Sequence, residues 1–322
     1  MYFKIGQTSA RFFVANFYKL WYNTYKIYER EYLDMSKHFK NTLIILWVVA
    51  LCLSVYAAYI TFFDRGYAEV CFIDVGQGDS CFVRSSKGDT ILIDGGDNGS
   101  GEYELIPFLR KQFVPELDAV FISHLHSDHT EGIYELIDDG YPIEKIYVSD
   151  IAAESEAYTA LISRASVNDI PIETLSDKES VVFSEITFTV ITAGDAESTD
   201  DNDTSVVMRM DCGENSFLFT GDATRKLEKQ IIDNEQIDVD FLKVAHHGSY
   251  GSSDYEFVSR GSPEISVISV GEDNRYNHPS EQTLETLSKL DVPVIRTDKD
   301  GTVTFVITEN NILDIKTSRS RY

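Results

Sequence analysis

Charge is missing from one stretch of this 322-residue chain: no Asp, Glu, Lys or Arg occurs from Asn41 to Phe63. The run Leu43–Phe63 is almost wholly apolar. About 20 helical residues span the hydrocarbon layer of a membrane, so the stretch is expected to be a single transmembrane helix. A buried core helix would carry polar punctuation, and a signal peptide would have a shorter lead and a shorter apolar run. Cysteine is scarce as well. Cys52 falls in the span, leaving Cys71, Cys81 and Cys212, an odd number without framework spacing, which excludes a disulfide scaffold. Cys71 and Cys81 could face each other across a hairpin, but two small buried thiols is the simpler reading. No cysteine lies beside the histidines described below, so a zinc ribbon is excluded. Residues 67–316 contain no Pro/Gly-rich linker, and the part beyond the span reads as one domain.

Basic residues are also few. The chain has 28 Lys and Arg against 53 Asp and Glu. Seven of the basic residues and three of the acids lie within residues 1–63, leaving net −29 for the rest. The basic flank before the span predicts a cytoplasmic N-terminus and a domain outside the cytoplasm, at the cell membrane. The expected organisation is a cytoplasmic aromatic and basic segment (1–40), a transmembrane helix (41–63) and a folded domain (64–322). Phe17, Trp21, Tyr25, Tyr28 and Tyr32 recur at helical spacing, which suits an amphipathic helix on the membrane surface or against a partner. A net −29 domain lacks the basic surface of a tight nucleic-acid binder.

Short runs rich in β-branched and aromatic residues predict strands at 67–74, 80–85, 89–94, 117–123 and 145–149, with helices at 102–112, 130–138 and 153–165. Strands follow at 179–193, 204–211 and 215–220, then a helix at 223–234 and a strand at 239–244. The tail alternates again: strand 265–270, helix 280–290, and strands 293–297, 302–308 and 311–316. This order of mixed elements points to an α/β or α+β sandwich.

Apart from His38, the histidines fall in three places: His124, His126 and His129; His246 and His247; and His278. Isolated histidines are usually satisfied surface or core residues. Clustering at strand ends with Asp128 and Asp222 is what metal binding requires. Residues two apart in an extended segment point the same way, so His124 and His126 can share one metal. Where that strand turns into a helix, Asp128 and His129 face a second position. Two divalent ions about 3.5–4 Å apart would activate a water between them. Asp222, ending the apolar run SFLFTGD, suits a bridging carboxylate, with Gly221 permitting close backbone approach.

The ordered motifs ILIDGG (Asp94), SHLHSDH, FTGD and AHHGS resemble those of the metallo-β-lactamase superfamily. DVGQGDS (Asp74–Ser80), DNDTSVVM (Asp201–Met208), LKVAHHGS (Leu242–Ser249) and RYNHPS (Arg275–Ser280) are similar to the soluble domain of ComEC/Rec2-type competence proteins. Cell-wall phosphorylcholine esterases share the outline. The resemblance covers about residues 67–316 and implies an αββα sandwich, an α+β fold. It implies that His124 and His126 hold the first of two divalent ions, zinc or else manganese. Asp128 and His129 would hold the second, Asp222 would bridge, and His247 rather than His246 would complete the set. Asp94 matches a carboxylate that orients a histidine ligand, and His278 an active-site histidine that contacts substrate or acts as a general acid.

Two departures stand out. No histidine occurs between His129 and Asp222, where many members supply a third histidine to the first metal; Asp201, Asn202 and Asp203 stand there instead. Oxygen ligands at this point favour manganese. The resemblance also concerns proteins with a many-helix channel, and this chain has one span.

The function implied is a metal-dependent hydrolase of phosphoric esters, a phosphodiesterase or nuclease, with Asp128, His246 and His278 near the reaction. Its substrate would be small, wall-attached or single-stranded nucleic acid. The alternatives are a lactone, thioester or β-lactam hydrolase, and a non-catalytic metal-binding module of a membrane complex.

Overall fold

The computed structural model describes residues 37–62, 65–151, 155–308 and 312–319, together with Trp21 and Thr24. The aromatic helix expected around Phe17, Tyr25, Tyr28 and Tyr32 lies outside these residues. Two units separate, at Thr61/Phe62. In the first, helix α1 (Lys37–Phe62) covers the charge-free stretch and starts four residues earlier than expected. Its segment Lys37–Tyr56 has mean hydropathy 1.8 and none of it is buried. Among the described residues it is the one helix long and apolar enough to cross a membrane.

The second unit runs β1 (Ala68–Phe72), β2 (Cys81–Arg84), β3 (Thr90–Ile93), α2 (Ile106–Lys111), β4 (Ala119–Phe121), α3 (Ser127–Asp138), β5 (Ile146–Ser149), α4 (Glu156–Val167) and β6 (Ile172–Leu175). Then come β7 (Ser180–Phe183), β8 (Ile186–Thr192), β9 (Val207–Cys212), β10 (Asn215–Phe219), α5 (Arg225–Asn234), β11 (Phe241–Lys243), α6 (Tyr255–Gly261) and β12 (Ile265–Ile268). The unit ends with α7 (Glu281–Lys289), β13 (Val294–Arg296), β14 (Val303–Ile307) and β15 (Ile312–Thr317). The run expected as one strand over 179–193 is a hairpin, because Ser184 turns with φ 49° between β7 and β8. Strand β6, with two exposed residues in IETL, escapes an apolar pattern. Thr204, expected to begin the strand at 204–211, instead ends a helical turn (Asp201–Thr204) ahead of β9.

Among the described residues the strands form two sheets, ordered β15-β14-β1-β2-β3-β4-β5-β6 and β13-β12-β11-β10-β9-β8-β7. Alternation along each strand builds the layers. Val70, Phe72, Ile91, Ile93 and Phe121 of the first sheet meet Met208, Met210, Phe217, Phe219 and Phe241 of the second. The alternate residues Phe82, Leu92 and Val120 face helices α2 to α4 with Leu109, Ile133 and Leu161. Leu218 and Leu242 face the other helices with Leu227 and Phe257. Helices therefore cover both outer faces, the αββα arrangement. Cys71 and Cys81 lie on opposite faces of the β1–β2 hairpin, one under the helices and one between the sheets; both are free thiols.

Each sheet begins antiparallel and becomes parallel, the first at β3–β4 and the second at β10–β11. Loops after these four strands leave from one edge. That is where an α/β sheet opens a crevice, and it is where the histidines and carboxylates stand.

Candidate metal centre

From β4 the chain runs through Ser123 and His124 to His126, which occupies the N-cap position of α3. The helix starts at Ser127, three residues before the position expected, so Asp128 and His129 project from its first turn. His124 and His129 are buried, while the His126 side chain is 39% exposed. The His124 ring lies 4.7 Å from that of His126 and 4.2 Å from that of His129, centroid to centroid. From the other sheet, Asp222 follows β10 and His247 follows β11.

These segments converge on one point. Ligating atoms of Asp128, His129, Asp222 and His247 all lie within 4.8 Å of one another. His247 Nε2 is 3.2 Å from Asp128 Oδ2 and 3.6 Å from Asp222 Oδ2, and His129 Nε2 is 3.2 Å from Asp222 Oδ1. His246 Nε2 stands 3.5 Å from Asp222 Oδ2, but its side chain is partly exposed. His124 and His126 lie beside this group but outside it, their rings in contact with each other and, through His124, with His129. Of the three candidates for the missing histidine, Asp203 is turned away, bonded to the hydroxyls of Ser198 and Thr224. Asp201 Oδ2 lies 3.8 Å from His126 Nε2, and Asn202 Oδ1 is buried without a hydrogen-bond partner.

Carboxylates behind the histidines set which nitrogen faces the centre. Asp94 Oδ2 is 2.9 Å from His129 Nδ1, and its oxygens also accept the Ser123 N–H (2.8 Å) and hydroxyl (2.7 Å). His247 Nδ1 lies 3.1 Å from the Ser269 carbonyl and 3.1 Å from Asp79 Oδ1. With Nδ1–H donated backwards, each ring turns its Nε2 lone pair to the centre. His129 Nε2 and Asp222 Oδ1 then face each other as two acceptors, and neither makes a hydrogen bond; His124 Nε2 is likewise buried without one. Only a proton or a cation between such atoms relieves them. The donor set of imidazoles and carboxylates fits a divalent ion.

Protons do this in the metal-free pocket. Burial disfavours charge on His129 and His247, yet the nearby carboxylates prevail. Asp222 and Asp94 hold His129 well above its ordinary range, and Asp222 with Asp79 lifts His247 to about 10. Burial likewise works against ionised Asp222 and Asp128, but facing histidines hold both well below the usual carboxylate range. His124, dominated by burial and by neighbouring His129, is held well below and stays neutral. A divalent ion held there would displace the Nε2 protons.

The backbone is bent to make this pocket. Asp94, His246, His247 and Asn277 all have φ between 51° and 58°, a left-handed conformation costly for residues with a side chain. Such residues persist where surrounding structure over-determines them, and they cluster at functional sites. Here the His246 N–H donates to the Gly221 carbonyl at 3.1 Å, and the Ser249 N–H to the His246 carbonyl at 2.8 Å. Gly221, with φ 50°, packs where a Cβ would meet Ser123 and Ser205 at 3.0 Å. The close approach expected of this glycine is present. His278 sits beside the centre, its ring 5.7 Å from that of His246 and 6.3 Å from that of His247. Ser280, not His278, caps α7.

The family described as the metallo-beta-lactamase superfamily matches residues 73–272. The chain belongs to the metallo-β-lactamase superfamily. Within that superfamily it is similar to ComE operon protein 3 of Bacillus subtilis, 30% identical over 206 residues, which are 64% of this chain and 26% of that one. Competence protein ComA of Neisseria gonorrhoeae is 27% identical over 67% of this chain and 29% of its own. Recombination protein 2 of Haemophilus influenzae is 27% identical over 72% and 28%. The chain thus spans between a quarter and three-tenths of these relatives. Among solved metallo-β-lactamase folds, YhfI of Bacillus subtilis aligns with TM-score 0.53 at 14% identity, covering 74% of this chain and 99% of that one. CmlA, a diiron β-hydroxylase of Streptomyces venezuelae, aligns at 0.50 and 14%, covering 74% and 53%. At such identity the likeness shows the fold.

Two residues whose chemistry the sequence left unassigned lie beside this site. Asp79 and Lys243 are both buried and paired with each other behind His247. The motifs DVGQGDS and LKVAHHGS contain them, but a carboxylate and an ammonium 164 positions apart announce no pairing until the two sheets are stacked.

Proposed function

We propose that this chain is a membrane-anchored, two-metal phosphodiesterase. The observation that carries the reading is the facing pair His129 Nε2 and Asp222 Oδ1, buried 3.2 Å apart and held from behind, which share a proton in the metal-free pocket and would take a cation in its place. Divalent ions held by Asp128, His129, Asp222 and His247, and by His124 and His126 with an oxygen from residues 201–202, would acidify bound water and offset phosphoryl charge. The chain's own residues supply the rest. Burial and the charge of His247 lower the His278 imidazole to about 4, so at neutral pH it is an uncharged ring with Nδ1 free of hydrogen bonds. Its remaining N–H can donate a hydrogen bond to a substrate oxygen, and its free nitrogen can accept a proton. Asn274 fixes its backbone, accepting the His278 N–H at 3.0 Å and donating to its carbonyl at 2.7 Å. Tyr276 stacks on His278 at 5.7 Å, and the Arg275 guanidinium stands 5.0 Å from the Tyr276 ring centroid. This exposed ring and cation suit a phosphate flanked by a base.

Relatives named for competence and recombination favour nucleic acid among phosphodiesters, while net −29 argues against tight binding of a long polyanion. Full-length protein loaded with zinc or manganese should hydrolyse bis-p-nitrophenyl phosphate and single-stranded DNA, and leave nitrocefin intact. Nitrocefin turnover without phosphodiester turnover would refute the reading. The apolar α1 and its basic flank support anchoring with the catalytic unit outside the cytoplasm. Protease added to intact spheroplasts is then expected to clip that unit; protection until lysis would reverse the orientation.

A further inference from the structure

Lysine is among the residues least often buried, because an ammonium leaves water at high cost unless it is paired. Lys243 is 4% exposed and Asp79 5%, and the two form an ion pair directly behind His247. A buried ion pair adds little to stability relative to apolar residues of the same volume, so its presence asks for another reason.

The contacts of Asp79 supply one. Its Oδ2 meets Lys243 Nζ, and its Oδ1 lies 3.1 Å from His247 Nδ1. Its main-chain N–H donates to the Asp128 carbonyl at 3.1 Å, and its own carbonyl accepts the Gly96 N–H at 2.8 Å. Gly78 makes this approach possible, since a Cβ there would sit 2.4 Å from the Asp128 carbonyl, and its φ is +131°. Asp79 follows β1 in the first sheet, and Lys243 ends β11 in the second. The pair thus joins the two sheets beneath the centre, touching one ligand of each: Asp128 through the main chain and His247 through the side chain.

We propose that Asp79 and Lys243 are positioning residues for the second metal ion, a cross-sheet clamp that orients His247 and fixes its distance from Asp128. Asp79 stands behind His247 as Asp94 stands behind His129, sharing Nδ1 with the Ser269 carbonyl at 3.1 Å. Lys243 holds the Asp79 carboxylate back, so that it faces Nδ1 instead of swinging into the pocket as a competing ligand. The inference rests on the two-metal reading of the site.

The test uses the full-length protein in detergent and titrates cobalt(II) against a chromogenic chelator, with melting temperature measured in parallel. Lys243→Met should melt below wild type, because it strands a buried carboxylate. Adding Asp79→Asn should restore melting, because the double variant buries no unpaired charge. In that refolded double variant the second ion should still bind about 10–100-fold more weakly, the usual cost of losing a partner behind a metal ligand, with an altered cobalt absorption band and the first ion unaffected. A double variant with wild-type melting and wild-type affinity for the second ion would overturn the inference, leaving the pair a structural tie only. Wild-type protein that binds no pair of ions would instead sink the two-metal reading on which it rests.

Discussion

Asp222→Ala is expected to lower phosphodiester turnover by about 10³-fold or more, since ions at such a site contribute several kcal/mol to the transition state. Asp222 is the one carboxylate within 3.6 Å of ring nitrogens on His129, His246 and His247. Its loss therefore removes a ligand that no neighbour replaces. The metal-free variant should also be less stable, by up to about 3–5 kcal/mol, as expected when one partner of a buried ion pair is removed. That deficit has a pH signature. In the wild type His247 is lifted from its ordinary 6.5 to about 10, so its ionic contribution is complete below pH 6.5 and lost as pH rises through 10. The melting-temperature gap between wild type and Asp222→Ala, both metal-free, should be widest near pH 5–6 and narrow towards pH 10. A gap independent of pH would deny the pairing.

The second large effect separates chemistry from metal binding. His247→Ala should lose the second ion and activity together. His278→Ala should keep its metals and lose about 10²–10³-fold in rate, the usual cost of removing one hydrogen-bond donor from a developing oxyanion. Because the uncharged ring donates a hydrogen bond and not a proton, the loss should be about equal on p-nitrophenyl and alkyl esters. Metal content and rates on both ester types measure this, and unchanged turnover in His278→Ala would remove the residue from the reaction. His246→Ala, with a partly exposed ring 3.5 Å from Asp222, should fall between the two.

Most of the fold was legible in the sequence because its strands alternate. Phe72, Phe82 and Phe121 announce buried positions by period alone, and α1 by its lack of charge. Strand β6 was missed because it lies at a sheet edge and half its residues face solvent. The 179–193 hairpin was missed because its turn uses Ser184 and Glu185 rather than glycine or asparagine. At the site, His124, His126, Asp128 and His129 share one local motif and could be read together. The preference for His247 over His246 acquires a physical basis only in three dimensions: both residues are left-handed, and it is the buried ring of His247 that reaches Asp128. Asp203 sounds as good a ligand as Asp201, yet hydroxyls of Ser198 and Thr224 hold it elsewhere. Asp79 and Lys243 belong to two sheets whose stacking no local pattern encodes.

The central claim is that this site would hold two ions with Asp222 serving both, and metal stoichiometry tests it most directly. Native mass spectrometry of the full-length protein, loaded with zinc or manganese and freed of excess, should find two ions per wild-type chain and fewer at both positions in Asp222→Ala. One ion per chain, retained when Asp222 is replaced, would contradict the account.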